Sequence, residues 1–411
     1  ILHMESKTPD PPGGVIQRRP GSREPNGVLE EHAAFALFPY VVNQNPADPG
    51  VLQRLHAAAL QYASFGITTG QEDFADSGLL ASLKAAAGAG LLPFDVIAFP
   101  VWNVADSELA GYRAAPTYDH HLRLGGAKIT LDGSIQGYTA YLTEPYFKGP
   151  SKTIDVQTAA DEPERDLTAS EEPVRRDKGA VRAASRGYPA MPDDEVNRYI
   201  AHFFERGLDI QAHTNGDAAS EQLIVAVAAA RKAFPTSKVR VTMIHAQTVR
   251  EDQLDRMKEL GITASFFSSH VYYWVDRHRD LFLGPTRAAR ISPAQSAVRR
   301  GMRFTLHNDS PVVPPNILLL VSTAVTRLTT SDQVLGAEQA ITPMQALKAV
   351  TLDAAWQNRE DDRKGSIAVG KQADLVILGG DPRHVEPKAI RDIAVLETIA
   401  AGQSIFRAGG Q

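Results

Sequence analysis

Four polar residues stand where short apolar runs end: Lys128, His213, His245 and Asp309. His213 closes Leu208-Asp-Ile-Gln-Ala-His213, His245 closes Val239-Arg-Val-Thr-Met-Ile-His245, and Asp309 closes Arg303-Phe-Thr-Leu-His-Asn-Asp309. Two imidazoles and a carboxylate suit a divalent metal that keeps an open coordination position. Such an ion lowers the pKa of bound water to about 7 and polarises a carbonyl, the two things that hydrolysis of an amide or ester needs. An aspartate that stays ionised beside the cation can accept the proton of the attacking water.

Taken singly, each residue has an ordinary explanation. A histidine at a strand end commonly just completes hydrogen bonds, a lysine after a strand is commonly solvated, and Asn-Asp-Ser-Pro makes a good turn. The spacing carries the argument instead. His213 and His245 are 32 residues apart, the length of one strand–helix repeat, and His245 and Asp309 are 64 apart, with the skipped strand visible at Ile262–Phe267. In a (β/α)8 barrel, residues at the C-terminal ends of strands converge on one rim, where active sites lie.

The rest of the chain supplies the elements such a rim requires. Amphipathic stretches at Gly50–Ala63, Asp193–Arg206, Ala218–Phe234 and Glu251–Leu260 alternate with apolar runs at Pro93–Val101, Lys128–Leu131, Leu208–His213, Val239–His245, Ile262–Phe267 and Arg303–Leu306. Helices of this length alternating with short strands predict βα units, a parallel sheet and an α/β fold. The 411 residues are 43% hydrophobic and 22% charged, ordinary for a globular enzyme. A net charge of −5 gives no reason to expect nucleic acid or an anionic membrane as partner. There is no cysteine, which excludes disulfides, thiolate ligands and a cysteine nucleophile, so a metal must rest on His, Asp, Glu or a modified Lys. No apolar run approaches the ~18 residues that span a bilayer; the most apolar, Ile317–Val321, is far shorter. The chain opens Ile1-Leu-His-Met4 without a secretory signal pattern, and the expectation is a cytoplasmic protein.

Three segments break the alternation. Residues 8–30 read as loop, because Thr8-Pro-Asp-Pro-Pro-Gly-Gly14 blocks regular structure. Residues 149–186 are charged and lack an apolar face, and read as a solvated loop insertion. From about 361 to 411 the texture becomes turn and strand, with Leu396–Phe406 as a hairpin, predicting part of a small β-sandwich beside a barrel formed by residues 1–360. Gly365-x-x-x-x-Gly370-Lys371 approaches a phosphate loop, but Gln372 replaces the Ser or Thr and a strand follows where a helix is required. Gly133-Ser-Ile-Gln-Gly137 puts its serine second, not third as a hydrolase elbow does.

Several stretches, in order, carry a resemblance: Thr8–Gly14, Tyr62-Ala-Ser-Phe-Gly-Ile-Thr-Thr69, Lys128-Ile-Thr-Leu-Asp-Gly-Ser134, His213-Thr-Asn-Gly-Asp217, Ile244-His-Ala-Gln247, His307-Asn-Asp-Ser-Pro311, and Lys364-Gly-Ser-Ile367 through Gly370-Lys-Gln-Ala-Asp-Leu375. The chain resembles the amidohydrolase-3 group of the amidohydrolase superfamily, which includes N-substituted formamide deformylases. The resemblance implies a (β/α)8 barrel with a small β-sandwich and a site for one or two divalent ions, Zn2+ in the first instance. It implies that Lys128 is carboxylated and bridges the ions, that His213 and His245 hold the second, and that Asp309 is both ligand and general base. The expected partner is a small amide-type molecule.

In one respect the sequence departs from that pattern. The family places a His-x-His at the end of the first barrel strand; here only the adjacent pair His120-His121 occurs, and on a strand these would face opposite sides. The expectation is a chain lacking the first strand, with unpaired sheet edges that favour oligomers or poor solubility. Two readings therefore stand: a hydrolase of C–N bonds in amides, formamides or cyclic amides, or a catalytically impaired remnant of one. His270, followed by Tyr272, Tyr273 and Trp274, could line the pocket and touch the reacting carbonyl oxygen, or simply belong to an aromatic loop packed on the barrel. Asp132 and Asp217 are candidate hydrogen-bond acceptors behind the ligands. Arg287 and Arg290 could bind a substrate carboxylate or be solvated helix-end arginines.

Overall fold

The computed structural model describes residues 2–37, 42, 44–110, 117–148 and 185–409. Two strands open it, β1 (Gly14–Arg18) and β2 (Pro25–Glu31), paired antiparallel with Ile16 opposite Leu29. All but the last residue of this hairpin lies inside residues 8–30, where the sequence pattern predicts loop. The Pro- and Gly-rich leader does stop regular structure, but only as far as Gly14. Beyond it the Asp10 carboxylate accepts the Ile16 amide at 3.0 Å and starts the strand.

The central layer is an arc of parallel strands: β3 (Thr69–Ala75), β4 (Asp95–Pro100), β5 (Leu122–Leu124), β6 (Ala127–Thr130), β7 (Ile210–Thr214), β8 (Val241–His245), β9 (Ile262–Phe266) and β10 (Phe304–Leu306). β3, β4 and β5 pair in that order, and β6 to β10 pair in chain order. Gly126 joins β5 to β6 and makes one kinked strand of them; its φ of +146° and a β-carbon position only 2.1 Å from the Asp209 carbonyl oxygen admit no side chain. A parallel bridge between Val101 and Lys128 continues β4 along β6. The two halves thus form a seven-strand barrel wall. Among the described residues no main-chain pairing joins β3 to β10, and the wall is open between them. That opening is spanned by side chains of residues 357–358: Thr305 Oγ1 donates to Gln357 Oε1 at 2.7 Å, and Gln357 Nε2 donates to Gln71 Oε1 at 3.2 Å.

Helices cover the outside of the arc, and their sequences show why. The Asp193–Arg206 helix starts with Asp193, Asp194 and Glu195 facing its own positive dipole end and stops at Gly207, φ +68°. Its Val196, Ile200, Phe203 and Phe204 recur at helical spacing and are all buried against the sheet and the Asp217–Ala233 helix. Four helices match the sequence expectation within a residue or so at each end. The core lies between strand faces such as Ile129, Ile210, Ala212, Met243 and Ala264 and these helices.

At the foot of the barrel, where β4 begins, charged side chains are buried together. Lys364 Nζ lies 2.5 Å from Asp95 and 3.5 Å from Glu360, and Arg123 Nε lies 3.5 Å from the other Glu360 oxygen. His121 Nδ1 contacts Asp95 at 2.7 Å, while His120 is exposed and meets only Asp119. The His120-His121 pair therefore belongs to the foot, far from the rim.

The C-terminal strands β11 (Leu375–Leu378), β12 (Val395–Ala400) and β13 (Gln403–Arg407) form an antiparallel sheet, with the hairpin expected at Leu396–Phe406. Ala400, Ile405 and Phe406 pack on Ala59 and Ala63 of the Pro49–Ser64 helix, and Thr398 Oγ1 donates to the Ala63 carbonyl at 2.7 Å. Lys371 Nζ donates to the carbonyls of Asp361 and Lys364 at 2.6 and 3.0 Å, so the Gly370-Lys371 turn ties the chain to itself. The insertion at 149–186 lies outside the described residues except for its last two. No helix of the described residues is long and apolar enough to cross a membrane.

Candidate active site at the barrel rim

Parallel register sets the levels of the rim. Thr130 pairs with His213, Thr214 with His245, and His245 with Phe266, so the ends of β6 to β9 rise together. His213 is the penultimate residue of β7 and His245 the last of β8; their rings meet edge to face with centroids 4.5 Å apart. His245 and Ala246 both have positive φ, +69° and +44°. Left-handed backbone at two consecutive non-glycine residues stores of the order of 1–3 kcal/mol each and is held by the surrounding packing.

Lys128 is the second residue of β6, below the rim and not at the strand end, and its side chain rises to donate to Asp73 Oδ2 at 2.5 Å. Asp309 lies three residues beyond β10, at φ +57°. It keeps open surface, yet protein crowds its carboxyl, and that desolvation raises its pKa; His213 and Lys128 work against the rise and Asp73 with it. His270 is not in a loop. It is the second residue of the Ser269–Arg277 helix, its ring stacks on His245 at 5.9 Å, and Trp274 meets it edge to face at 5.2 Å.

Asp132 supports His213 from behind. Its carboxylate accepts from the amides of Asn215, Gly216 and Tyr141 at 2.9, 2.7 and 3.0 Å and contacts His213 Nδ1 at 3.2 Å. That contact fixes the ring, whose Nε2 lies 3.4 Å from Asn215 Nδ2. Asp217 serves elsewhere, accepting from the Thr143 amide and from Arg250. Arg287 is spent on the carbonyls of Leu283, Glu144 and Pro145, and Arg290 on Glu251.

Three further polar residues share this volume. His307 Nε2 lies 3.1 Å from His245 Nδ1, and its Nδ1 3.0 Å from Ser265 Oγ. Glu72 and Asp73, on β3, carry carboxyls that burial pushes up, with Lys128 pulling both down. Sequence reasoning singles out none of the three. Thr69-Gly-Gln-Glu-Asp-Phe-Ala75 lacks the apolar alternation of a strand, because this strand turns polar side chains to the mouth. His307 does stand within His307-Asn-Asp-Ser-Pro311, but there the spacing points to Asp309.

Burial holds His245 and His270 well below the usual imidazole range, and takes His307 and His278 down to about 3; Lys128 and His213 add to the effect at His307. An imidazole that is neutral when folded and protonated when unfolded stabilises the fold less as pH falls. For His278 and His307 that loss runs from about pH 6.5 to about pH 3. Each should contribute a slope of about 1.4 kcal/mol per pH unit there. Metal-free protein should accordingly show unfolding free energy dropping steeply between pH 6.5 and 5 in urea melts; a flat profile would mean that these rings are not buried neutral.

In kind, these donors suit a divalent cation: imidazoles kept neutral by burial and carboxylates collected at one mouth. In arrangement they are paired with one another. Among the described residues no three His, Asp or Glu side chains converge on a point as a finished metal cage. Lys128 is bonded to Asp73, and His245 to His307.

Residues 2–406 match the family model described as the amidohydrolase family. The chain is 26% identical over 418 residues to the protein YtcJ of Bacillus subtilis (strain 168), covering 98% of the chain and 70% of that protein. It is 25% identical over 408 residues to the N-substituted formamide deformylase of Arthrobacter pascens, covering 98% and 69%. A metal-dependent hydrolase of Pyrococcus horikoshii OT3, solved by crystallography, superposes with a TM-score of 0.67 at 22% identity, over 89% of this chain and 66% of that one. The chain thus spans about two thirds of the length of the relatives it matches. With a family match over nearly its whole length, the chain belongs to the amidohydrolase family.

Proposed function

We propose that this protein hydrolyses a C–N bond of an amide, formamide or cyclic amide at the barrel rim. The observation that carries the reading is the meeting of His213, His245, Lys128 and Asp309, remote in sequence, at one mouth. His213, His245 and Asp309 would hold a divalent cation, with zinc the first candidate. Lys128 would join them once carboxylated on Nζ, since an ammonium there would repel the ion and a carbamate attracts it. When bound, the cation supplies an acidified water and a polarised carbonyl.

The protein's own residues then have distinct roles. Asp309, its carboxyl raised by desolvation, takes the proton of the attacking water and returns it to the departing nitrogen. His270, stacked beside His245, faces the reacting carbonyl oxygen. Asp132 holds the His213 ring in place through Nδ1.

The test is a full-length protein loaded with Zn2+ and assayed on formamides, N-acyl amino acids and cyclic amides, with metal content measured alongside. We expect at least one ion per chain and turnover of one of these classes, with His213→Ala and His245→Ala losing both. A second reading, a catalytically impaired member of the family, is favoured by the internal pairing of Lys128 with Asp73 and the lack of a three-way donor cluster among the described residues. Protein that retains no metal after dialysis against Zn2+ buffer and turns over none of these amides would establish the second reading and sink the first.

A further inference from the structure

A cavity of about 220 Å3 lies at the same end of the barrel as the donor set and is lined by none of its members. Its wall comes from chain that has passed the ends of β6, β7 and β8, including Leu142, Asp217, Thr248 and Arg250. The segment from Leu283 to Arg290, beyond β9, completes it. It opens to solvent past the exposed Thr143, Glu144 and Thr286. The wall is also tied to the candidate active site. Thr248 donates to the Asn215 carbonyl through its amide at 3.1 Å and its hydroxyl at 2.8 Å. The Asn215 amide in turn donates to Asp132, the residue that holds His213.

Three arginines line the cavity, and their charges are met to different degrees. Arg250 is closed in by Asp217 at 3.0 Å and by both oxygens of Asp252 at 3.0 Å. Arg287 is not. Its bonds go to the carbonyl oxygens of Leu283, Glu144 and Pro145 at 2.9, 3.3 and 2.7 Å, which fix the guanidinium without neutralising it. A guanidinium carries five N–H donors, so one on Nη1 and one on Nη2 are left over. Its only ion-pair partner among the described residues is Glu144, 4.0 Å away on a side chain 74% exposed, where water screens the attraction. Arg290 has one carboxylate, Glu251 at 2.5 Å, and shares it with Arg300 at 2.6 Å. Its Nε and Nη1 donate to no other described residue. Beside these groups the wall is apolar, through the buried Leu142 and Leu283. Planar donor forks of incompletely met charge select a carboxylate. An uncharged group would leave that charge unmet, and a phosphate dianion would face Asp217 and Glu144 on the same wall.

We propose that this cavity binds a small organic monocarboxylate, its charge held by Arg287 and Arg290 and its aliphatic part against Leu142 and Leu283. The site stands apart from the hydrolase reading, which enters only in deciding where the carboxylate comes from. Binding is tested without turnover, by calorimetry on the metal-free full chain titrated with butyrate, butyramide and inorganic phosphate. Butyrate should bind saturably and at least tenfold more tightly than either of the others, with affinity falling as NaCl is raised. Arg287→Gln should weaken butyrate at least tenfold. Arg290→Gln, a change at a more exposed side chain that keeps the fold if Arg287→Gln does not, should weaken it at least threefold. No saturable butyrate binding, butyramide or phosphate binding as tightly, or unchanged affinity in a folded arginine variant would overturn the proposal. The source of the carboxylate is then read from kinetics on an N-acyl amino acid. Butyrate that raises KM at constant kcat makes the cavity a pocket for the substrate's own carboxylate, and butyrate that changes kcat makes it a site for a free acid; both keep the site. Butyrate binding without amide turnover leaves the site and removes the hydrolase, whereas turnover without butyrate binding does the reverse.

Discussion

Asp309→Asn should lower amide turnover by about a hundred- to ten-thousandfold, the usual worth of a positioned general base, while leaving the fold intact. Asparagine keeps the shape of the side chain at φ +57°, a backbone conformation that it tolerates well. It removes the one group proposed to accept the water's proton. Because desolvation already disfavours the Asp309 carboxylate, a neutral amide there costs the metal-free fold nothing, and its urea midpoint should hold steady or rise. Metal analysis separates the two roles given to Asp309. Loss of turnover with metal retained identifies the base, whereas loss of both identifies a ligand. A variant keeping more than a third of wild-type kcat would remove Asp309 from the mechanism.

The largest effect on stability should come from the other end of the barrel. Lys364→Met leaves Asp95 and Glu360 facing each other's surroundings without the ammonium at 2.5 and 3.5 Å. Stripping one partner from a buried ion network typically costs about 3–5 kcal/mol; because His121 stays beside Asp95 and Arg123 beside Glu360, the loss should lie toward the lower end. Burial alone would raise the Asp95 carboxyl; bonds and charges from Lys364 and His121 outweigh it and hold the group below its ordinary value. A lowered carboxylate stabilises the fold above its unfolded pKa, and that contribution disappears as pH falls through the folded one. The gap between wild type and Lys364→Met should therefore be full at pH 7 and narrow below about pH 4, where the stranded carboxyls can protonate. Adding Asp95→Asn to Lys364→Met should recover part of the loss. Equal urea midpoints for wild type and Lys364→Met at pH 7 would show that the network carries no stability.

Much of the barrel is legible in the sequence because its strands bury both faces and read as continuous apolar runs, with amphipathic helices between them. Asp193–Arg206 and Glu251–Leu260 are bounded as expected because their caps are local: acidic first turns and a glycine at the end. β3 is hidden for the opposite reason, as its Gln71 and Asp73 answer to partners on β6 and in residues 357–358 that no local window contains. The β1–β2 hairpin is masked by the prolines ahead of it. Spacing singles out Lys128, His213, His245 and Asp309 as candidates but not their levels: Lys128 is the second residue of its strand and Asp309 lies past the end of its own. Asp73 and His307 become visible only through contacts across the mouth.

Among the described residues, the seam between β3 and β10 divides the polar groups of the mouth into two sides. One lip carries Glu72 and Asp73; the other leads into His307 and Asp309. Within the described residues the lips are bridged low in the wall by the Gln357 amide, from Thr305 on one side to Gln71 on the other. Among the described residues the two carboxylate-bearing sides are joined by side chains and not by strand pairing. Held from both sides, the Gln357 amide keeps the two donor-bearing lips in register among the described residues.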